Sequence, residues 1–179
     1  MSKLAGTALF MKILPKLNRA VFFDRDGVLN KKPSEHDYVK NFDEFFWNQG
    51  AQELIKKIND LGFKVIVVSN QRGVARGKMT ADFVEKLHIR MNYDLAKTSA
   101  HIDAFYYCPH DLADKCMCRK PASGMFLYAA KELGIDLENS FAIGDNDSDT
   151  IAAVAAGCRS IKITTDTLQI EKILSTLNL

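Results

Sequence analysis

Short apolar runs along this chain alternate with stretches in which apolar residues recur every three or four positions. Ala20-Val21-Phe22-Phe23 is a short strand-like run that stops at Asp24. Leu54, Ile55, Ile58 and Leu61 have helical spacing, and Gly62 is a natural stop. Lys64 to Val68 is a buried strand that runs into Ser69-Asn70. Thr80 can cap a helix carrying Phe83, Leu87, Met91 and Leu95 on one stripe. A third strand is expected over Ile102 to Tyr107. Ser123 then opens a helix with Met125, Phe126, Ala129 and Leu133, which Gly134 ends. Ser140 to Ile143 reads as a fourth strand that ends at Gly144-Asp145. A helix from Ser148 to Ala156 follows, then a strand over Ser160 to Ile163 and a last helix over Leu168 to Leu177. Strands separated by helices imply an α/β fold, a three-layer Rossmann-like parallel sheet with helices on both faces. Ligands of such sheets sit at the carboxyl ends of the strands, so Asp24, Ser69 and Asp145 should meet at one edge.

The chain has 179 residues, enough for one domain, and 47% of them are hydrophobic, enough for a core. Residues 1–19 read as an N-terminal extension and 20–179 as a single domain. With 24 Lys and Arg against 22 Asp and Glu, the net charge is +2. That balance argues against a nucleic-acid partner, which demands a basic excess. No apolar run approaches the length of a membrane-spanning helix, so no membrane partner is expected. Lys12 interrupts the apolar N-terminal stretch and no clean cleavage site follows, which argues against a signal peptide. Clustered cysteines then fit metal binding in the reducing cytoplasm, and the Asn146-Asp147-Ser148 sequon has no role there.

Asp24 and Asp26 follow the first strand two residues apart, and Asp145, Asp147 and Asp149 follow the fourth. Carboxylates converging at one spot repel one another unless a hard divalent cation lies among them. A site with few ligands and open positions suits Mg²⁺. A carboxylate beside the cation can attack phosphorus, and a second can protonate the leaving oxygen and then activate water. Asp147 and Asp149 can equally be mere helix caps. Ser69, Asn70 and Gln71 supply donors, Lys120 a point charge and Arg119 a bidentate anion grip. The segment from Lys31 to Tyr38 overhangs this edge, so Lys32, Ser34, Glu35 and Tyr38 can reach a substrate. Gly73 to Met79 is no P-loop: three residues separate its glycines, and Met79 stands where Ser or Thr is required.

Cys108 with His110, and Cys116 with Cys118, form two i, i+2 pairs across a five-residue loop. Three thiols and an imidazole favour a closed, structural Zn²⁺ site, a staple for a loop without its own core. Absence of a basic stripe argues against a nucleic-acid-reading finger. Cys158 reads as a small core residue, and His36, His88 and His101 have no partners in sequence. Phe42, Phe45, Phe46 and Trp47 read as packing residues rather than a cofactor box.

FFDRDGVLN, VVSNQ, CRKP and IGDNDSD, in this order, resemble the haloacid dehalogenase superfamily of phosphatases. CPHDLADKCMC is similar to the zinc loop of the branch that holds histidinol phosphatases and heptose-bisphosphate phosphatases. GVARGKM and the segment after Lys120 resemble the D-glycero-D-manno-heptose 1,7-bisphosphate 7-phosphatase type. The resemblance implies a phosphatase domain without a large cap that acts on a small phosphorylated sugar; a monomer is expected. It implies Asp24 as nucleophile and Mg²⁺ ligand, Asp26 as acid/base with its carbonyl on Mg²⁺, and Asp145 as the third protein ligand. Ser69 and Lys120 would hold the transferring phosphoryl group. Arg119, Lys32, Pro33, Ser34, Glu35, Asn70, Gln71 and Arg72 would line the substrate site, and Cys108, His110, Cys116 and Cys118 would bind Zn²⁺. Asn146 stands where this type usually carries Lys or Arg, and the five-residue zinc loop is closer to the histidinol type. A histidinol-phosphate phosphatase and an inactive phosphate-binding, zinc-stapled module are the alternatives.

Overall fold

A computed structural model describes residues 17–34, 37–164 and 170–176. Glu35, His36 and most of the N-terminal extension therefore lie outside the described residues. The strands are β1 (Ala20–Phe23), β2 (Lys64–Asn70), β3 (Ala104–Cys108), β4 (Phe141–Gly144) and β5 (Arg159–Lys162). The helices are α1 (Ala51–Asp60), α2 (Ala81–Ala96), α3 (Gly124–Leu133), α4 (Asp147–Ala155) and α5 (Ile170–Thr176). The five strands form one parallel sheet in the order β3-β2-β1-β4-β5.

Alternation along β1 divides the core. Val21 and Phe23 join Val65, Val67 and Ile143 on one face, where Leu54, Ile55 and Ile58 of α1, Leu87, Met91 and Leu95 of α2 and Ile173 of α5 cover them. Ala20 and Phe22 join Ile66, Val68 and Ala142 on the other, under Met125, Phe126 and Ala129 of α3 and Ala152 and Ala153 of α4. The expected three layers are thus present. The chain steps outward from β1 to β3, then returns to place β4 on the other side of β1. The order reverses between β1 and β4, which opens a crevice beyond their carboxyl ends. Among the described residues, loops surround that crevice.

Several boundaries differ from the expectation. β3 starts at Ala104 because the Asn92 side chain takes both backbone groups of Ile102, at 2.7 and 3.0 Å. β2 continues through Ser69 to Asn70, which pair with Tyr107 and Cys108. Leu61 lies past the end of α1 and is exposed rather than on its buried stripe. Thr80 caps α2 as expected, its hydroxyl accepting from the Phe83 N–H at 3.0 Å. Ser123 precedes α3, but its side chain makes no capping bond. α4 starts one residue early because Asn146 and Asp149 form a reciprocal capping box. The expected ends of the last helix fall outside the described residues.

Candidate active site

The Asp24 N–H donates to the Ile143 carbonyl at 2.9 Å, which locks the end of β1 against β4. A tight turn follows, with the Arg25 carbonyl accepting from Leu29 N–H at 2.9 Å and Asn30 N–H at 3.1 Å. Gly27 has φ +93°, and a Cβ there would lie 2.5 Å from Asp145 Oδ2. Only glycine lets the Asp145 carboxylate come so close to the turn. Gly144 plays the matching part on β4, where a Cβ would meet Asp149 Cβ at 2.3 Å.

Lys120 is buried between two acids. Its ammonium lies 2.9 Å from Asp24 Oδ1 and 2.6 Å from Asp149 Oδ1, and it donates to the Val68 carbonyl at 2.7 Å. Burial disfavours its charge, but Asp24 and Asp149 outweigh that and hold its pKa above the usual lysine value. Burial pushes the Asp24 carboxyl up to about 6; Asp149 and Asp26 push the same way, and Lys120 opposes them.

The Asp26 carboxylate turns away from this pair. Arg25 Nη2 donates to both of its oxygens, at 2.9 and 3.0 Å, and Asn30 Nδ2 to Oδ1 at 3.0 Å. Gln71 Nε2 donates to Oδ2 at 2.9 Å and to Ser69 Oγ at 2.7 Å. Burial raises the Asp26 pKa, but Arg25, Asn30 and Gln71 together bring it below the usual carboxylate value.

Asp145 accepts from Lys32 Nζ on one oxygen and from Asn146 Nδ2, at 2.6 Å, on the other. A cleft of about 630 Å³ opens over these groups. Asp24, Asp26, Lys32, Pro33, Ser34, Ser69, Asn70, Arg119 and Lys120 line it, all expected at the site, together with Tyr38. Asp37, Asn146, Ser148 and Asp149 line it too and were not assigned to substrate or metal from sequence. Arg119 Nη1 is buried without a protein partner among the described residues. Gln71 and Arg72 depart from the expectation. Gln71 is 1% exposed beneath the cleft, and Arg72 Nε is turned to Asp111 Oδ1 at 2.7 Å.

Two groups of side chains fit metal ions. One carboxylate oxygen from each of Asp24, Asp145 and Asp149 lies within 4.8 Å of the others, in a crevice open to a further ligand. All-oxygen donors in that number suit Mg²⁺. At the end of β3, Cys116 Sγ lies 3.5 Å from Cys108 Sγ and 3.4 Å from Cys118 Sγ. His110 Nδ1 lies 3.6 and 3.3 Å from the sulfurs of Cys108 and Cys118. Tetrahedral Zn²⁺ bonds imply ligand separations of about 3.6–3.8 Å, so the four atoms are close to that arrangement. In the metal-free cluster burial pushes the Cys108 thiol up to about 12 and raises that of Cys118, while the Arg119 N–H and neighbouring thiols outweigh burial at Cys116 and lower it. Between the two pairs, a turn at Leu112–Asp114 is closed by an Asp111–Asp114 capping box. Cys158 is buried in the core, as expected.

Asp149 is the functional residue that sequence reasoning left as a possible helix cap. It does both jobs, capping α4 through Oδ2 and holding Lys120 through Oδ1. Its position four residues after Asp145, one helical turn on, was the available signal.

Known proteins resemble most of the chain. A family model described as HAD-hydrolase-like matches residues 117–176. The D-glycero-beta-D-manno-heptose-1,7-bisphosphate 7-phosphatase of Escherichia coli (strain K12) is 40% identical over 144 residues, covering 76% of this chain and 74% of the relative. The protein of the same name from Pasteurella multocida is 38% identical over 146 residues, 78% of each chain. Among solved structures, the D,D-heptose 1,7-bisphosphate phosphatase of B. bronchiseptica, complexed with magnesium and phosphate, superposes with a TM-score of 0.77. It is 32% identical, covering 88% of this chain and 86% of that one. At such identity over three quarters of its length, this chain belongs to the HAD-like hydrolase family, on the branch of the heptose-bisphosphate phosphatases.

Proposed function

We propose that the protein is a Mg²⁺-dependent phosphomonoesterase that removes the 7-phosphate of D-glycero-D-manno-heptose 1,7-bisphosphate through an aspartyl-phosphate. The observation that carries this reading is the buried Lys120 ammonium, held by Asp24 and Asp149 at the mouth of the crevice. A cation fixed beside a carboxylate nucleophile is positioned to neutralise a phosphoryl group in transfer.

Asp26, held ionised in the free site by Arg25, Asn30 and Gln71, takes the proton carried by the bound phosphate monoester. An Asp24 oxygen then bonds to phosphorus as the phosphorus–O7 bond breaks, and O7 takes that proton from Asp26 to leave as the sugar hydroxyl. Asp26, now a carboxylate, takes a proton from water as that water's oxygen bonds to phosphorus. The phosphorus–Asp24 bond breaks, and inorganic phosphate leaves. Ser69 Oγ and Lys120 Nζ hold the phosphoryl oxygens, and Asp149 keeps Lys120 in place. Asp24, Asp145 and the Asp26 carbonyl would hold Mg²⁺, which would supply further positive charge at the phosphoryl oxygens. Cys108, His110, Cys116 and Cys118 would hold a structural Zn²⁺ that would close the loop leading directly into Arg119 and Lys120. Arg119 lines the cleft and is placed to grip the second phosphate.

The test is phosphate release from the bisphosphate and from histidinol phosphate, each with and without Mg²⁺. Preference for the bisphosphate in kcat/KM, dependence on Mg²⁺ and loss of turnover in Asp24→Asn are expected. Full turnover of Asp24→Asn on every sugar phosphate tested would remove the reading.

A further inference from the structure

Gln71 was expected to touch substrate, yet it lies one residue past β2, under the cleft floor and 1% exposed. Its backbone N–H donates to the Cys108 carbonyl at 2.8 Å, and its carbonyl accepts from Val74 N–H at 3.1 Å, so the main chain is fixed on both sides. The amide is fully used. Nε2 is shared between Asp26 Oδ2 (2.9 Å) and Ser69 Oγ (2.7 Å), while Oε1 accepts from Arg25 Nη2 at 3.1 Å. Arg25 is wholly buried and grips the same Asp26 carboxylate. One buried amide therefore joins a carboxylate from the β1 turn to a hydroxyl from β2.

We infer that Gln71, backed by Arg25, is a positioning residue that sets the Asp26 carboxylate relative to Ser69 Oγ. It thereby governs proton delivery to the leaving oxygen and proton removal from water. The inference rests on the assignment of Asp24 and Asp26 as a phosphatase pair. Among the described residues, no other side chain hydrogen-bonds to both Asp26 and Ser69. Asn30 also bonds Asp26, but its second bond goes to the Lys31 carbonyl, so it ties the carboxylate only to its own loop.

Two substrates separate this role from mere structural support. The sugar 7-phosphate has a poor leaving group that needs a proton. p-Nitrophenyl phosphate has a leaving group that departs without one, but its aspartyl-phosphate still needs a base for hydrolysis. With general acid–base catalysis contributing ~10²–10⁴-fold, Gln71→Met should lower kcat on the sugar phosphate at least ~30-fold with KM little changed. The rate of p-nitrophenol appearance in the first turnover should fall only a few-fold, followed by a slow steady state, a burst equal to the enzyme concentration. Gln71→Glu has the same size and keeps an acceptor for Arg25 but loses the donor to Asp26 and Ser69. It should show the same pattern and decides the matter if Gln71→Met does not fold. Equal losses on the two substrates without a burst, or a rise in KM alone, would overturn the inference. Wild-type protein that hydrolyses neither substrate with Mg²⁺ would instead remove the phosphatase assignment itself.

Discussion

Lys120 shows what burial does to a single side chain at this site. Its stem is surrounded by protein, and its charge is tolerated only because Asp24 and Asp149 face it. Lys120→Met should therefore lower kcat by ~10²–10³-fold, the usual loss for one oriented donor in a water-poor site, measured by steady-state phosphate release. His88 is the opposite case, a buried titratable group with no counter-charge paired to it. It stacks on Phe105 with ring centroids 4.3 Å apart, and its Nε2 has no partner among the described residues. Burial, with Arg25 adding in the same direction, lowers its pKa to about 3. The unfolded chain binds this proton near pH 6.5 and the folded chain only near pH 3. Stability from neutral His88 is thus complete above about pH 6.5 and is lost as pH falls toward 3, at up to ~1.4 kcal/mol per unit. Between pH 6.5 and 5, His88→Leu should lose about 1.6 kcal/mol less than wild type in urea unfolding. Asp24, Ser69 and Lys120 were legible in sequence because strand-end polar residues and a cation pair stand out against apolar runs. Gln71 was legible as a site residue but not in its role. Whether an amide at a strand end faces the cleft or the floor depends on Arg25 and Asp26, which come from another element.

The elements were legible where apolar periodicity is strong, as in α1, α2 and β2, and less so where a side chain claims backbone groups. Asn92 shortens β3 and Asn146 advances α4 in this way. The convergence of Cys108, His110, Cys116 and Cys118 was legible from ligand spacing alone. What spacing could not show is how the loop is tied in. Asp111 bonds Arg72 and faces Arg76, so the loop after β3 is joined to the loop after β2. Arg72 thereby bridges the two loops. Two expectations follow for the loop as a unit. Purified protein should contain one zinc per chain by atomic emission. Cys116→Ser should lower zinc below that stoichiometry and lower kcat/KM at least about tenfold, because a displaced loop moves Arg119 and Lys120 from their places, and small misplacements of this kind can cost ~10²-fold. A Cys116→Ser protein with full activity and no zinc would show that the loop holds its shape without the ion.

For the molecule as a whole, a net charge of +2 says little, because the arrangement matters more than the sum. The fold brings Asp24, Asp145 and Asp149 from β1 and β4 to the point where the strand order reverses. Lys120 and Lys32 face them but leave three acids against two cations at close range. A divalent cation seated among them would bind the folded state and not the unfolded one, so Mg²⁺ should raise Tm by mass action. At ten times its Kd the gain is RT ln 11, about 1.4 kcal/mol, or ~3–6 °C for a chain of this size. The effect should depend on pH in a definite sense. Asp24 is pushed up to about 6, so acidification below that value protonates a metal ligand and shrinks the Mg²⁺-dependent shift, while above it the shift is full. Asp145→Asn should abolish the shift and leave the metal-free Tm unchanged or higher, since it removes one charge from a repelling group. The readout is thermal unfolding by circular dichroism across a Mg²⁺ series at pH 5 and pH 8. A wild-type Tm that ignores Mg²⁺ at pH 8, or an Asp145→Asn protein that responds like wild type, would mean the strand-end acids do not hold the cation.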